Sequence, residues 1–347
     1  MLLAGPRGRR LCLALAAEMD DRISTGISEL SSGRDPETTV TICLAWSSPE
    51  DGCSPEAAPL ESIDELAREL RALDGSGLEE GAFHRALRAS VQAARYWQEP
   101  DEGDSLAGLP EIREALLPLA RGVCATSEAH RWSAPAPAQQ WTVRWHREGG
   151  ADEDDPHGDV SRWARGTRSA EVAARAERPR DPRAPWTGEW WSIPLGLQQS
   201  VDHVPTALDL VEDEFGWCEA TVTPVEGPSS TLEIAAAEDW VQLCREHPLE
   251  VTASRRHDWY RVTGRDCRWV IPDWEQVAQR WNAVHLTVSA YLTAAARALE
   301  VEDGIASVIG GWDPGTTYWL GGDVPVVTGE PQQWRYDPDA ETWTPVS

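Results

Sequence analysis

Residues 239–320 read DWVQLCREHPLEVTASRRHDWYRVTGRDCRWVIPDWEQVAQRWNAVHLTVSAYLTAAARALEVEDGIASVIGGWDPGTTYWL, and helix and strand patterns alternate most clearly along this stretch. Two of its three Asp-Trp pairs, Asp239-Trp240 and Asp273-Trp274, begin the pattern Asp-Trp-x-Gln. An Asp at an N-cap accepts hydrogen bonds from the first turn of a helix, and a following Gln can reach back to it. We therefore predict that each of these pairs begins a short helix with a buried Trp.

The middle pair, Asp258-Trp259, is followed by an alternating segment that ends in Gly264, which is typical of a strand. Alternate residues of a strand share a face, so Arg255, His257 and Trp259 would lie together. This face could hold a phosphate or carboxylate on the arginine fork and stack a ring on the indole. The alternative is an edge strand held by salt bridges.

Three further residues are candidates for a site. His285 lies in the alternating run Val284–Val288, which predicts a strand, and it could be a general base or a structural histidine. Trp97 and Glu99 lie at a predicted helix end and could line a pocket; alternatively this is an aromatic helix end before a solvated acidic loop. The catalytic candidates are therefore His257 and His285, and the ligand-binding candidates are Arg255, His257, Trp259, Trp97 and Glu99.

Residues 188–320 predict a Trp-rich α+β domain with a mixed, largely antiparallel sheet and short helices. Asp313-Pro314-Gly315 predicts a turn between two strands. Three short strand patterns separated by Gly and Pro favour a meander. These patterns are Ala207–Glu212, Trp217–Val225 and Thr231–Ala235.

The remaining chain divides into three segments by composition. Residues 1–132 predict a mainly helical region, with a capping box at Ser62 and one strand at Val40–Trp46. Residues 133–187 form a Pro-rich and acidic linker followed by an Arg-rich helix, and residues 321–347 a Gly- and Pro-rich tail.

Composition excludes several classes of function. The formal net charge of −27 disfavours phosphate-backbone binding to nucleic acid and docking on an anionic membrane. A small anionic ligand or a basic protein partner remains possible. All 31 basic residues are Arg, which excludes a P-loop, a protein-kinase site and a Schiff-base enzyme. No apolar run reaches the ~18 residues of a membrane span, and no spacing predicts a metal or other cofactor.

The cysteines indicate a compartment. Seven are present, an odd number without a Cys-x-x-Cys pair. Such scattered spacing is typical of reduced thiols, so we expect a cytoplasmic protein.

Six strings along the chain resemble those of an uncharacterised family of actinobacterial proteins to which no activity is assigned. They are RGRRLC (7–12), ARYWQEPDE (94–102), LVEDEFGW (210–217), HPLEVTASRRHDWYRVTG (247–264), PDWEQVAQRWNAVHLTVSAYL (272–292) and GWDPGTTYWL (311–320). Residues 272–320 also resemble the closing part of some ADP-ribosyltransferase-like domains. The strand that would carry the catalytic Glu of that fold has His285 and Thr287 instead.

Two functional hypotheses follow. The first is a non-catalytic binding or interaction protein with an unknown ligand. The second is an enzyme that acts on a nucleotide-like or other anionic small molecule. The enzyme would be favoured by convergence on one pocket, and the binding protein by scattering, of the side chains of Trp97, Glu99, Arg255, His257 and His285.

Overall fold

The fold is α+β, with helices in the N-terminal part and sheets in the C-terminal part. The computed structural model describes residues 2–32, 60, 62–146, 159–212, 217–321 and 325–346. Eight α-helices precede the first strand within these residues: α1 (Pro6–Met19), α2 (Asp21–Ser32), α3 (Ile63–Arg71), α4 (Glu80–Gln92), α5 (Glu102–Gly108), α6 (Pro110–Ala115), α7 (Leu117–Cys124) and α8 (Ser127–Arg131). No helix of the described residues has both the length and the apolarity to cross a membrane.

Strands and the remaining helices follow. The strands are β1 (Gln139–His146), β2 (Gln199–Val201), β3 (Glu219–Glu226), β4 (Thr231–Ile234), β5 (Pro248–Glu250), β6 (Arg268–Pro272), β7 (Ala283–Leu286), β8 (Leu299–Glu302), β9 (Ile305–Ser307), β10 (Thr316–Trp319), β11 (Val326–Val327), β12 (Gln332–Asp337) and β13 (Thr342–Pro345). The helices are α9 (Val160–Glu177), α10 (Ala237–Glu246), α11 (Thr252–Thr263), α12 (Trp274–Val277) and α13 (Val288–Ala294).

Two sheets organise the C-terminal part. The larger has the order β13-β12-β3-β1-β2-β10-β7-β4, with β11 also paired to β3, and the smaller has the order β5-β6-β9-β8. All pairs are antiparallel except β4 with β7 and β6 with β9. The prediction of a mixed, largely antiparallel sheet is therefore confirmed.

One hydrophobic core joins the N-terminal helices to the sheets. It contains Leu11 and Leu66 from the helices together with Trp240, Leu286 and Tyr291 from the C-terminal part. Gly5, just before α1, packs against the backbone of α13, and a Cβ there would overlap the Leu292 carbonyl. The helical region therefore forms one wall of the same core.

Local signals for helix ends are partly confirmed. The Ser62 hydroxyl accepts from Glu65 N–H at 3.3 Å, and Pro110 is the first residue of α6. Asp239 is not the N-cap of α10 but its third residue, where its carboxylate reaches back to the N–H groups of Ala235 and Ala236, both at 2.9 Å. The predicted strand at Val40–Trp46 lies outside the described residues.

The second Asp-Trp-x-Gln site also differs in its bonding. Asp273 occupies the N-cap of α12, but its side chain accepts from the Gln276 side chain at 2.8 Å and from Arg168 on α9 rather than from the first-turn N–H groups. Trp240 and Trp274 are fully buried, as predicted, with ring centroids 6.1 Å apart.

Three β-sheet predictions are wrong. Ala207–Glu212 is not a strand; it contains a 3-10 helix, Thr206–Asp209, followed by a loop. The meander does not form, because β3 pairs with β1 and β4 pairs with β7. Residues 325–346 do not form a loose tail: β12 extends the large sheet beyond β3. Alternation predicts that a segment is a strand, but it does not specify the partner of that strand.

Candidate functional site

The segment that carries Arg255, His257 and Trp259 is a helix, so the predicted strand is wrong. Glu171 of α9 accepts from Ala253 N–H at 2.9 Å and Ser254 N–H at 2.8 Å, and thus caps the start of α11 from another helix. Gly264 ends α11 in the left-handed region at φ 67°. That glycine is a helix C-cap signal, and the prediction of a turn after a strand at this position is wrong.

Helical geometry brings Arg255 and Trp259 to one face, because residues four apart are neighbours on a helix. Arg255 is 1% exposed; its Nη1 is 3.0 Å from Glu189 Oε2, and its Nε donates to Trp191 O at 3.3 Å. Trp259 is 0% exposed, and its indole N–H donates to Trp190 O at 3.0 Å. Both residues therefore hold the segment 189–191, through the carbonyls of Trp190 and Trp191 and the side chain of Glu189.

Of the other four candidates, His257, Glu99 and His285 lie apart from one another. His257 is 1% exposed, and neither ring nitrogen has a hydrogen-bond partner in the described part of the chain. Burial and the nearby Arg256 lower the pKa of His257. Glu99 is exposed, whereas His285 is buried on β7 with Nδ1 2.7 Å from Glu233 Oε2.

Trp97 is the candidate nearest to a cavity, because its ring lies 5.2 Å from that of Trp190. Trp190 lines a cavity of about 360 Å³, whereas none of the six sequence-predicted residues does. Such a volume lies within the range of small-molecule sites, roughly 300–1,000 Å³. The six predicted residues therefore do not converge on this pocket, although Arg255, Trp259 and Trp97 contact the segment that lines it.

Two sets of stacked aromatic rings line the cavity, which we call the tryptophan pocket. Trp190 and Trp191 stack at 4.5 Å between centroids, and Tyr96 stacks behind Trp190 at 5.1 Å. Trp145 of β1 and Trp217, just before β3, stack at 5.2 Å with an interplanar angle of 9°. Indole faces carry negative electrostatic potential, so these walls favour rings and cations.

A hydroxyl holds the Trp190–Trp191 segment against the turn that follows β9. Ser192 N–H donates to Gly310 O at 2.9 Å, and Gly310 N–H donates to Ser192 Oγ at 3.0 Å. The next residue, Gly311, has φ 74°, and a Cβ there would overlap Cδ1 of Trp191. The chain reversal therefore brings glycine backbone directly against an indole of the pocket.

Glu212 is a buried carboxyl at the pocket wall with four hydrogen-bond donors. Its Oε1 accepts from the hydroxyls of Tyr96 at 2.8 Å and Tyr291 at 2.7 Å. Its Oε2 accepts from the N–H groups of Gly311 at 2.8 Å and Trp312 at 3.1 Å. Burial raises the pKa of Glu212 to about 7, while the two tyrosine bonds act in the opposite direction. All acceptor sites of this carboxylate are used within the protein.

Asp313 is the second carboxyl of the pocket and is less constrained. Its Oδ1 accepts from Glu212 N–H at 2.9 Å, and its Oδ2 lies 3.4 Å from the Tyr318 hydroxyl. Asp313 is partly exposed, and it forms no ion pair with any described residue. Burial raises the pKa of Asp313 to about 7. Its Oδ2 therefore retains acceptor capacity for a ligand in the pocket.

No pattern in the sequence indicates that these two carboxyls form a pair. Three of the six strings quoted above contain Glu212, Tyr96 and Asp313, but Glu212 and its partner Asp313 are 101 positions apart in the chain. The only local signal was an acid close to Trp or Tyr in each string. No group of described His, Cys, Asp and Glu side chains is arranged to hold a metal ion.

No protein-family model, no curated protein and no solved structure matches this chain.

Proposed function

We propose that this protein binds a small organic cation, an amine or a quaternary ammonium compound, in the tryptophan pocket. The observation that carries the proposal is the Asp313 carboxyl, which lies among stacked indoles without an ion-pair partner in the described residues. A cation bound there would interact both with the carboxylate of Asp313 and with the faces of the indole rings. Each cation–indole contact contributes roughly 0.5–2 kcal/mol, most where water is excluded.

The charge of the protein supports the same ligand class. A net charge of −27 attracts cations toward the surface and repels anions. Among the described residues, two carboxyls, Glu212 and Asp313, line the pocket together with the basic Arg144. The anionic ligand proposed for Arg255, His257 and Trp259 has no comparable support, because these three side chains are buried in and around α11.

Tryptophan fluorescence tests the proposal directly, since Trp145, Trp190, Trp191 and Trp217 line the pocket. The protein is titrated with choline and, separately, with its uncharged isostere 3,3-dimethyl-1-butanol. We expect choline to change the emission and to bind at least about tenfold more tightly than the isostere. Equal affinity for both compounds would contradict recognition of charge, and absence of any response to choline would contradict the proposed ligand.

A matched pair of variants locates the charge. Asp313→Asn should weaken choline binding by about tenfold, because one carboxylate is lost while the shape is kept. Asp266→Asn makes the same change in net charge at an exposed residue outside the pocket and should leave the affinity unchanged. Equal affinities of the two variants would place the cation elsewhere.

An enzyme is the second candidate, and the raised pKa values favour it specifically. Two linked carboxyls, Glu212 and Asp313, each have a pKa raised to about 7, the range in which a carboxyl serves as a general acid or base at neutral pH. Asp313 would be the acting group, since all four acceptor sites of Glu212 are used. Mass spectrometry of a bound cationic ester after incubation separates the two functions: an intact ester favours a binding protein, and cleavage that Asp313→Asn abolishes favours an enzyme.

A cytoplasmic location and a basic protein partner remain part of the proposal. The five described cysteines, which are Cys12, Cys124, Cys218, Cys244 and Cys267, are free thiols, and this supports a reducing compartment. Cys43 and Cys53 lie outside the described residues. The negative net charge supports a basic partner.

A further inference from the structure

A second, smaller cavity adjoins the tryptophan pocket, and we call it the side cavity. Its volume is about 40 Å³, against about 360 Å³ for the pocket. Four aromatic rings and two aliphatic side chains of the described residues line it: Trp145, Leu208, Val211, Trp217, Tyr336 and Trp343. None of these lining residues is charged, so the side cavity is an apolar space next to a pocket that contains carboxyls.

The two cavities share part of their walls. Trp145, Val211 and Trp217 line both of them. Trp145 and Trp217 are the stacked pair with ring centroids 5.2 Å apart, and Trp145 also contacts Trp343 of β13 with 5.8 Å between centroids. The stacked pair is therefore the boundary between the pocket and the side cavity, and a substituent that reaches past it enters the side cavity.

The carboxyl that would bind the cation lies next to this boundary. Val211 immediately precedes Glu212, whose backbone N–H donates to Asp313 Oδ1 at 2.9 Å. A bond of about 1.33 Å joins the Glu212 nitrogen to the Val211 carbonyl carbon, so that carbon lies at most about 4.2 Å from Asp313 Oδ1. A cation on Asp313 can therefore reach the shared wall with a substituent of only a few atoms.

Contacts with α4 fix the far wall of the side cavity. Arg88 Nη2 donates to the Tyr336 hydroxyl at 2.5 Å, and the guanidinium carbon lies 5.2 Å from the centre of that ring. Arg88 Nη1 donates to Glu341 O at 3.1 Å, in the turn between β12 and β13. The rings of Tyr336 and Trp343 are 5.8 Å apart between centroids. A packed wall therefore limits the depth of the side cavity.

We propose that the ligand of the tryptophan pocket is an organic cation with a short apolar substituent, and that this substituent occupies the side cavity. The inference rests on the proposed function, because Asp313 fixes the end of the ligand from which the substituent extends. A volume of about 40 Å³ has room for about one or two carbon atoms, since a water molecule takes about 30 Å³ in the liquid. Each buried methylene strengthens binding by roughly fourfold, equivalent to about 0.8 kcal/mol.

The opening of the pocket is the alternative place for an apolar substituent. Leu195 lines the pocket and is 55% exposed, so it lies at this opening. A chain that leaves over Leu195 could grow into solvent, whereas a chain in the side cavity ends against Tyr336 and Trp343. The effect of chain length on affinity therefore distinguishes the two directions.

A series of alkyltrimethylammonium ions, from tetramethylammonium to hexyltrimethylammonium, tests the inference by tryptophan fluorescence. We expect affinity to rise by roughly fourfold per methylene until the side cavity is filled, and then to stop rising. An affinity that is equal for all chain lengths, or that still rises at hexyl, would overturn the inference and leave the cation proposal intact. No response to any member of the series would overturn both.

Variants of Leu208 locate the substituent, because Leu208 lines the side cavity but not the tryptophan pocket. Leu208→Ala enlarges the side cavity, so the chain length at which affinity stops rising should increase by at least one methylene. Leu195→Ala makes the same change at the opening and should leave that chain length as in the wild type.

A milder variant guards against misfolding, since Leu208 is 3% exposed and belongs to a hydrophobic core cluster. Leu208→Val removes a single methylene and should increase the limiting chain length by about one methylene even if Leu208→Ala does not fold. An unchanged limit in the Leu208 variant that folds, or an equal increase in Leu195→Ala, would overturn the inference.

Discussion

The backbone N–H of Glu212 donates to Oδ1 of Asp313 at 2.9 Å, and this bond links the two carboxyls of the tryptophan pocket. The carboxylate of Glu212 in turn accepts from Gly311 and Trp312, the two residues just before Asp313. The loop after the 3-10 helix and the turn before β10 are thus bonded in both directions. A change in either carboxyl should therefore affect the stability of the fold as well as ligand binding.

The first prediction concerns stability and pH in Asp313→Asn. Burial raises the pKa of Asp313 from 3.8 to about 7, so the native state retains a proton that the unfolded state has lost between these values. The wild type should therefore lose stability as pH rises from about 4 to about 7, and Asp313→Asn should lose less over this range. Urea unfolding across this range measures the slope. Asp266→Asn is the control for net charge, and an equal slope in both variants would contradict the prediction.

The second prediction concerns choline and pH. Ionised carboxylates attract a cation, so affinity should rise as pH increases through about 7, where Glu212 and Asp313 lose their protons. Fluorescence titrations at several pH values measure this dependence. In Asp313→Asn the pH dependence of the choline affinity should be shallower, because Glu212 is then the one described carboxyl of the pocket that still titrates. A choline affinity independent of pH in the wild type would argue against direct contact with these carboxyls.

The third prediction is that Arg255→Ala lowers the free energy of unfolding by about 2–4 kcal/mol, since a fully buried side chain and its bonds to residues 189–191 are lost. Arg256→Ala, which alters the partly exposed neighbour, should change the free energy of unfolding by less than about 0.5 kcal/mol. Urea denaturation measures both variants. An Arg255→Ala protein of unchanged stability that had lost affinity for phosphate would instead support the original hypothesis of an anion-binding face.

The fourth prediction concerns the cap that α9 provides for α11. Glu171→Gln removes the charge that accepts from Ala253 and Ser254, and it should destabilise the protein by about 1–2 kcal/mol. Glu177→Gln, an exposed change near the end of the same helix, serves as the control. Hydrogen exchange should show faster opening of the first turn of α11 in the first variant alone. Equal protection from hydrogen exchange in both variants would mean that the Glu171 cap contributes little to the stability of α11.

The fifth prediction concerns Asp239. Its carboxylate satisfies the N–H groups of Ala235 and Ala236, so Asp239→Ala should destabilise by about 0.5–2 kcal/mol without affecting the pocket. Thermal and urea melts give the stability, and choline titration tests the pocket. The exposed Glu238 is the matched site, and Glu238→Ala should melt close to the wild type. If Asp239→Ala had the same melting temperature as the wild type, water would replace the hydrogen bonds of the Asp239 carboxylate without loss of stability.

Local chemistry in the sequence predicted elements whose signals are themselves local. The Ser62 cap and the Asp313-Pro314-Gly315 turn both depend on residues within a few positions of one another. The α+β class follows from such signals, because it requires only the types of element and their order. Neither strand order nor the pocket can be obtained in this way.

The error at residues 252–263 shows why. Alternation of polar and apolar residues fits the segment as a strand, but Glu171, about 80 positions earlier, supplies the N-terminal cap. Arg255 and Trp259 were correctly placed on one face, but by the helical spacing of four and toward the interior. The pairing of Glu212 with Asp313 could not be predicted for the same reason, because the hydrogen bond that joins them spans 101 residues of sequence.

Gly311 makes the volume of the tryptophan pocket adjustable by a single methyl group. Because a Cβ at this position would overlap the Trp191 ring, Gly311→Ala would push that indole away from the backbone and toward the cavity. Both carboxyls and all the other lining side chains would keep their chemical identity. A substitution at this one position would therefore give a form with a smaller ligand space that differs from the wild type by a single CH2 group.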